Sequence, residues 1–163
     1  EDTGLAQLFG MPFVVLRKPV PFDTTTLNFN WQVWDTKAFS LYSRSTEKID
    51  KKGADMAIAA VCRFLSRMNV LNYNVYGGYE STVLLEEELV SLRSTASGLY
   101  IPHVKSFDSV ERGQVLADII DPLTGVTVAQ TEAPEDGIVF FAKDSPLVME
   151  NETLFKIVNK LHK

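Results

Sequence analysis

A chain of 163 residues with 45% hydrophobic and 23% charged side chains is long enough to bury a core, which excludes disordered, collagenous and coiled-coil classes. The formal net charge of −5, with 16 basic residues scattered singly, leaves no electrostatic footprint for nucleic acid. No apolar run of about 18 residues and no signal-like N-terminus occurs, so no membrane partner is expected. The single cysteine, Cys62, suits a reducing compartment, and a cytoplasmic location is the expectation. The chain opens Glu1-Asp2-Thr3-Gly4 without an initiator Met, so a piece of something longer is expected.

The first stretch has α/β grammar: a short apolar segment Leu5–Phe9 closed by Gly10, a β-rich run Pro12–Leu16, a Pro/Thr-rich loop, and an alternating run Ala38–Tyr42. Phe29, Trp31 and Trp34 could stack on a ligand, but their spacing fits strand or loop packing equally well, and core packing is expected. The clearest helix follows. Ala54, Ala57, Ile58, Val61, Phe64, Leu65 and Met68 recur at helical steps, with Asp55, Arg63, Ser66 and Arg67 on the other face and Asp50 as the N-cap. Such a helix should lie on a sheet. Yet residues 1–72 supply about two strands, fewer than the roughly five or six of a typical sheet. The sheet looks incomplete.

After Asn72 the texture changes to short β-prone runs, at Val83–Leu85, Leu89–Arg93, Leu99–Val104, Val115–Ile120, Val126–Ala129, Ile138–Ala142 and Leu154–Val158, which predict an all-β domain over 73–163. It holds an internal repeat. Gly98, Val110, Gly113, Leu116 and Ile119 match Gly137, Val148, Asn151, Leu154 and Ile157, with one residue less in the first interval. Gly113 and Asn151 share a place in the repeat, and both residue types tolerate the left-handed conformation of a tight turn. Stacking two such halves would enclose one core, as in a flattened barrel or sandwich.

A two-half β unit is the architecture of biotinyl and lipoyl carriers, whose modified lysine sits on the joining hairpin. Here the joining segment Asp118–Pro134 has no lysine, and Lys105, Lys143 and Lys156 read as solvated surface charge. Two histidines, His103 and His162, cannot make a hydrolytic zinc site, which generally needs three protein ligands. His103 reads as an exposed or hydrogen-bonded strand histidine. The run Glu86-Glu87-Glu88 is most simply a solvated turn. Nucleophile elbow, phosphate loop and dinucleotide fingerprint are all absent.

Whole-chain pattern says more. The stretch running from Thr95-Ala96-Ser97-Gly98 through "APEDGIVFFAKDSPLVMENETLFKI" resembles the C-terminal β domain of the succinylglutamate desuccinylase/aspartoacylase family. "AQLFGMPFVVLRKP" resembles that family's helix-to-strand passage, and "KAFSLYSRSTEKIDKKGADMAIAAVCRFLSRMNVL" its last strand, loop and last helix. The resemblance implies the C-terminal part of a zinc carboxypeptidase-like α/β catalytic domain over 1–72, followed by an all-β barrel-sandwich hybrid domain over 73–163. It implies hydrolysis of an amide or ester bond in a small acidic, N-acyl amino acid-like substrate. Zinc would belong to the intact parent, since the family's ligands lie in the N-terminal half of the catalytic domain, and no metal is expected in this chain alone. Where the family places a glutamate base, this chain has Tyr42, whose ordinary pKa near 10 rules out that role at neutral pH. Tyr42 could instead donate to an oxyanion with Arg44 orienting a carboxylate, or Glu47 could serve as the base; equally, all three could be structural or solvated. Apolar surface on Phe13, Val15, Phe39 and Leu41 would then need the missing N-terminal half or a second copy of the chain as partner. The alternative is a non-catalytic binding module built on the β domain.

Overall fold

The computed structural model describes residues 3–42, 49–74 and 77–159. The chain divides into two compact units, with the division falling after Glu86 and not after Asn72. The strand Thr82–Leu85 accounts for the difference. Its sequence is as β-prone as those that follow, but it pairs in parallel with Phe13–Leu16 and so belongs to the first unit.

The first unit runs α1 (Thr3–Gln7), β1 (Phe13–Leu16), a 3-10 turn (Pro21–Thr25), α2 (Leu27–Val33), α3 (Lys51–Arg67) and β2 (Thr82–Leu85). The Asp50 side chain caps α3 by accepting from Gly53 N at 3.0 Å, and the Thr26 hydroxyl caps α2 by accepting from Phe29 N at 3.3 Å. The segment Ala38–Tyr42 is not a strand, and Trp31 and Trp34 are not core residues: they sit on α2 and at its C-cap, 50% and 82% exposed. Alternation of apolar residues makes a strand only where a neighbour pairs with it.

The buried face of α3 also differs from the apolar stripe. Ile58 and Val61 are exposed, whereas Gly53, Ala60 and Arg63 are buried. Arg63, only 6% exposed, donates from Nε to Phe9 O at 3.0 Å, and Arg67 donates to Leu8 O at 2.8 Å. These carbonyls lie at and beyond the end of α1, where a helix leaves acceptors unsatisfied and favours cations. Phe64 stacks on Phe9 with ring centroids 4.3 Å apart. The two arginines and Phe64 thus turn α3 so that its C-terminal half grips α1, and much of its apolar stripe stays in the open.

The second unit carries β3 (Leu89–Arg93), β4 (Gly98–Pro102), β5 (Ser109–Val110), β6 (Val115–Ile120), β7 (Thr127–Glu132), β8 (Gly137–Ala142), β9 (Leu147–Val148) and β10 (Thr153–Asn159). They form two antiparallel four-stranded sheets, ordered β3-β10-β8-β5 and β7-β6-β4-β9, and no closed barrel. One core serves the unit, centred on Leu116, Ile119, Leu154, Phe155 and Ile157, all fully buried. Each such side chain contributes about 1.5–3 kcal/mol by leaving water.

The pairing has a twofold pattern. Tyr100 pairs with Ile119 as Val139 pairs with Ile157, and each short strand crosses to the opposite half: Val110 pairs with Gly137, and Val148 with Gly98. Neither half completes its sheet alone. A Cβ on Gly98 would lie 2.5 Å from Ile120 O, and one on Gly137 would lie 2.7 Å from Val158 O, so both crossings need glycine. Gly113 and Asn151 both have positive φ, at 80° and 67°. Lys143 departs from the reading as solvated charge: its side chain is 13% exposed and its Nζ meets Glu152 Oε1 at 2.5 Å.

Candidate functional site

In α/β sheets ligands gather at the carboxyl ends of parallel strands. Here Leu16 and Leu85 are partners in register, so Arg17 and Glu86 emerge side by side from the ends of β1 and β2. Arg17 Nε lies 3.7 Å from Glu86 Oε2, and Arg17 Nη2 also pairs with Asp23 Oδ1. Asp23 is buried in the 3-10 turn, where its Oδ2 accepts from Val20 N at 2.7 Å. Buried Asp23 and half-exposed Glu86 together hold the half-exposed Arg17 guanidinium at the rim of the sheet, so its charge is already matched by two carboxylates. Sequence reasoning missed this trio. Its only signals were an arginine just after a β run and an aspartate three residues after Val20.

The residues singled out from sequence are placed differently. Tyr42 stands in irregular chain, 81% exposed, while Arg44, Glu47 and His162 lie outside the described residues. The approach to Tyr42 is tied to α2: Gln32 Nε2 donates to Ala38 O at 2.9 Å, and Asn28 Nδ2 to Ser40 Oγ at 2.8 Å. A cleft of about 290 Å³ beside the C-terminal end of α3 is lined by Ser66, Asn69, Leu71, Asn72, Tyr73 and Asn74, and offers amides and hydroxyls without a carboxylate, histidine or thiol.

In the second unit His103 Nε2 lies 2.8 Å from Asp118 Oδ2, and Gln130 Nε2 donates to Asp118 Oδ1 at 2.8 Å. The register of β6 and β7 sets Asp118 opposite Gln130, and that of β4 and β6 brings His103 within reach. The hydrogen bonds from Gln130 and His103 hold the Asp118 carboxyl below the usual carboxylate range. A neutral amide and one histidine around one carboxylate form no acid–base relay with a third titratable member. Among the described residues no group of three or more His, Cys, Asp or Glu side chains could hold a metal ion.

No protein-family model matches the sequence, and no curated protein matches it. Solved structures do match. A succinylglutamate desuccinylase/aspartoacylase from Rhodobacter sphaeroides superposes with a TM-score of 0.77 at 14% identity, over 99% of this chain and 49% of that one. The ectoine utilization protein EutE from Ruegeria pomeroyi, solved with product bound, gives 0.77 at 12% identity, over 95% of this chain and 47% of that one. An aspartoacylase family protein from Mesorhizobium loti gives 0.65 at 17% identity, over 99% and 48%. At these identities the likeness is one of fold, and the chain spans about half the length of the structures it matches.

Proposed function

We propose that this chain is the C-terminal half of a hydrolase of the desuccinylase/aspartoacylase type, which cleaves an amide or ester bond in a small acidic N-acyl amino acid-like substrate. The observation that supports the reading is the fold match, which takes in 99% of this chain against 49% of the Rhodobacter protein. In this reading the two four-stranded sheets of the second unit are a barrel-sandwich hybrid domain, and the first unit closes a zinc carboxypeptidase-like α/β domain.

The zinc of such an enzyme does not fit the described residues of this chain, which bring no three ligating side chains together. No step through the metal is assigned to this chain. Arg17, anchored on buried Asp23 at the strand ends, would meet a substrate carboxylate there only by exchanging its pairing with Glu86. Tyr42 remains the proposed oxyanion donor with Arg44 as its carboxylate-binding companion, and Glu47 the rival base.

The test is hydrolysis of N-acetyl- and N-succinyl-derivatives of aspartate and glutamate by the protein at its natural length. Saturable release of the amino acid, abolished by chelation and restored by zinc, is expected. Absence of hydrolysis with all four substrates would favour the binding-module reading.

A further inference from the structure

We propose that two copies of this protein meet through their second units, face to face about a twofold axis, with the Leu123 tip of each copy seated on the β9-β4-β6-β7 sheet of the other. The inference is independent of the functional reading above. The outward face of that sheet carries the first observation. Val148, Tyr100 and Ile119 belong to the core, so their neighbours Leu147, Leu99 and Ile120 point outward. Leu147 pairs with Leu99 and Leu99 with Ile120, and the register shift between Ile119 and Ile120 turns exposed Val128 to the same side. One apolar row thus crosses all four strands, on the face where an antiparallel sheet in water carries polar side chains.

The second observation is the turn that joins β6 to β7. Leu123 at its tip is 93% exposed, yet the turn is fixed: Asp121 Oδ1 accepts from Leu123 N at 2.8 Å, Asp121 Oδ2 from Thr124 Oγ1 at 3.0 Å, and Asp121 O from Gly125 N at 2.8 Å. An apolar side chain held out on a preorganised turn loses little freedom when it is covered. Charge and area name the occupant. Asp118, the carboxylate next to the row, has both oxygens engaged by His103 and Gln130, so a like face brings no unmatched charge against it. A four-stranded face spans on the order of 400 Å2, whereas specific association needs about 500 Å2 from each partner. The face alone falls short, and the face with the tip reaches that size. A twofold axis between row and tip uses both from each copy, which makes the contact isologous and closed.

The test mixes isotopically heavy and light protein at its natural length, each carrying p-benzoylphenylalanine in place of Leu123. Crosslinks that join heavy to light copies, from this position to peptides of β4 or β9, are expected. Crosslinks confined to one copy, crosslinks to peptides outside residues 1–163, or none at all, would overturn the proposal. Sedimentation of the unmodified protein at up to about 100 μM is the second readout. A dimer is expected, and Leu123→Asp and Leu147→Asp should each weaken it at least about tenfold. Both side chains are exposed, so the thermal midpoints of the variants should match the parent's, which separates a broken contact from a broken fold. A parent that stays monomeric, or variants that dimerise as the parent does, would also overturn the proposal.

Discussion

Tyr100 puts a phenol hydroxyl into the core of the second unit with no hydrogen-bond partner in the structure, packed beside Phe155 at a ring distance of 6.0 Å. Burial, with Asp144 adding to it, pushes its ionisation well above the ordinary phenol range, so the group is a neutral, unsatisfied donor. Leaving a buried hydroxyl unpaired costs about 1–3 kcal/mol, whereas a phenyl ring of the same shape carries no such cost. Tyr100→Phe should therefore raise stability by about 1 kcal/mol, read as a higher midpoint in urea with an unchanged slope; a loss of stability would mean that the hydroxyl has a partner in solution. Asp118 shows the opposite situation. Its folded pKa is depressed, chiefly by Gln130 and then by His103, so its contribution is present above the unfolded value of about 4 and fades as pH falls through the lower folded value. In Gln130→Leu the Asp118 carboxyl resonance should titrate at higher pH than in the parent; an unmoved midpoint would show that the amide does not hold the carboxylate. Neither feature was legible at the residue scale. Inward alternation marks Tyr100 as core without revealing whether its hydroxyl is satisfied, and Asp118, 15 residues from His103, is brought to it only by the strand register.

At the scale of elements, legibility followed from whether a position's neighbours are local. The runs Leu89–Arg93 and Val115–Ile120 are strands as their alternation implies, and Asp50 caps α3 as its place before a helical pattern implies. The two-residue strands β5 and β9 were not legible, because they exist only through cross-pairing with the opposite half. The orientation of α3 was misjudged because Arg63 draws its energy from carbonyls more than fifty residues away, which no hydrophobic pattern encodes. The glycines at the crossings are the instructive case, since a close approach of two backbones leaves its mark as a missing side chain. Gly98→Ala and Gly137→Ala each drive a methyl group against a backbone carbonyl that cannot swing aside. Both should cost at least about 1–3 kcal/mol, comparable in the two halves. Thermal unfolding of the pair checks this; a mild effect at one site and a severe one at the other would mean that the halves are not equivalent in packing.

The whole molecule combines two units built on unequal terms. In the second, fully buried side chains from both halves of the repeat share one core, so that each half needs the other and the unit should open as one. In the first, two short parallel strands, one small helix with exposed tryptophans and one long helix with exposed Ile58 and Val61 leave apolar area in water. The shortage of strands in the first part of the sequence already pointed this way; which surfaces stay open did not, because that depends on the turn of α3 and on the helix where a loop was expected. Local stability follows buried area, and amide exchange reads it segment by segment. In residues 1–163 alone, amides of β6, β8 and β10 should exchange together through the deepest opening of the chain, whereas those of β1, β2 and α2 should exchange through shallower, separate openings. If the chain is the C-terminal half of the proposed hydrolase, the amides of the first unit should slow in the longer protein and those of the second stay as they were. Equal protection of β1 and β10 in residues 1–163 alone would show that the first unit is sufficient in itself, and its exposed apolar side chains would then need no partner.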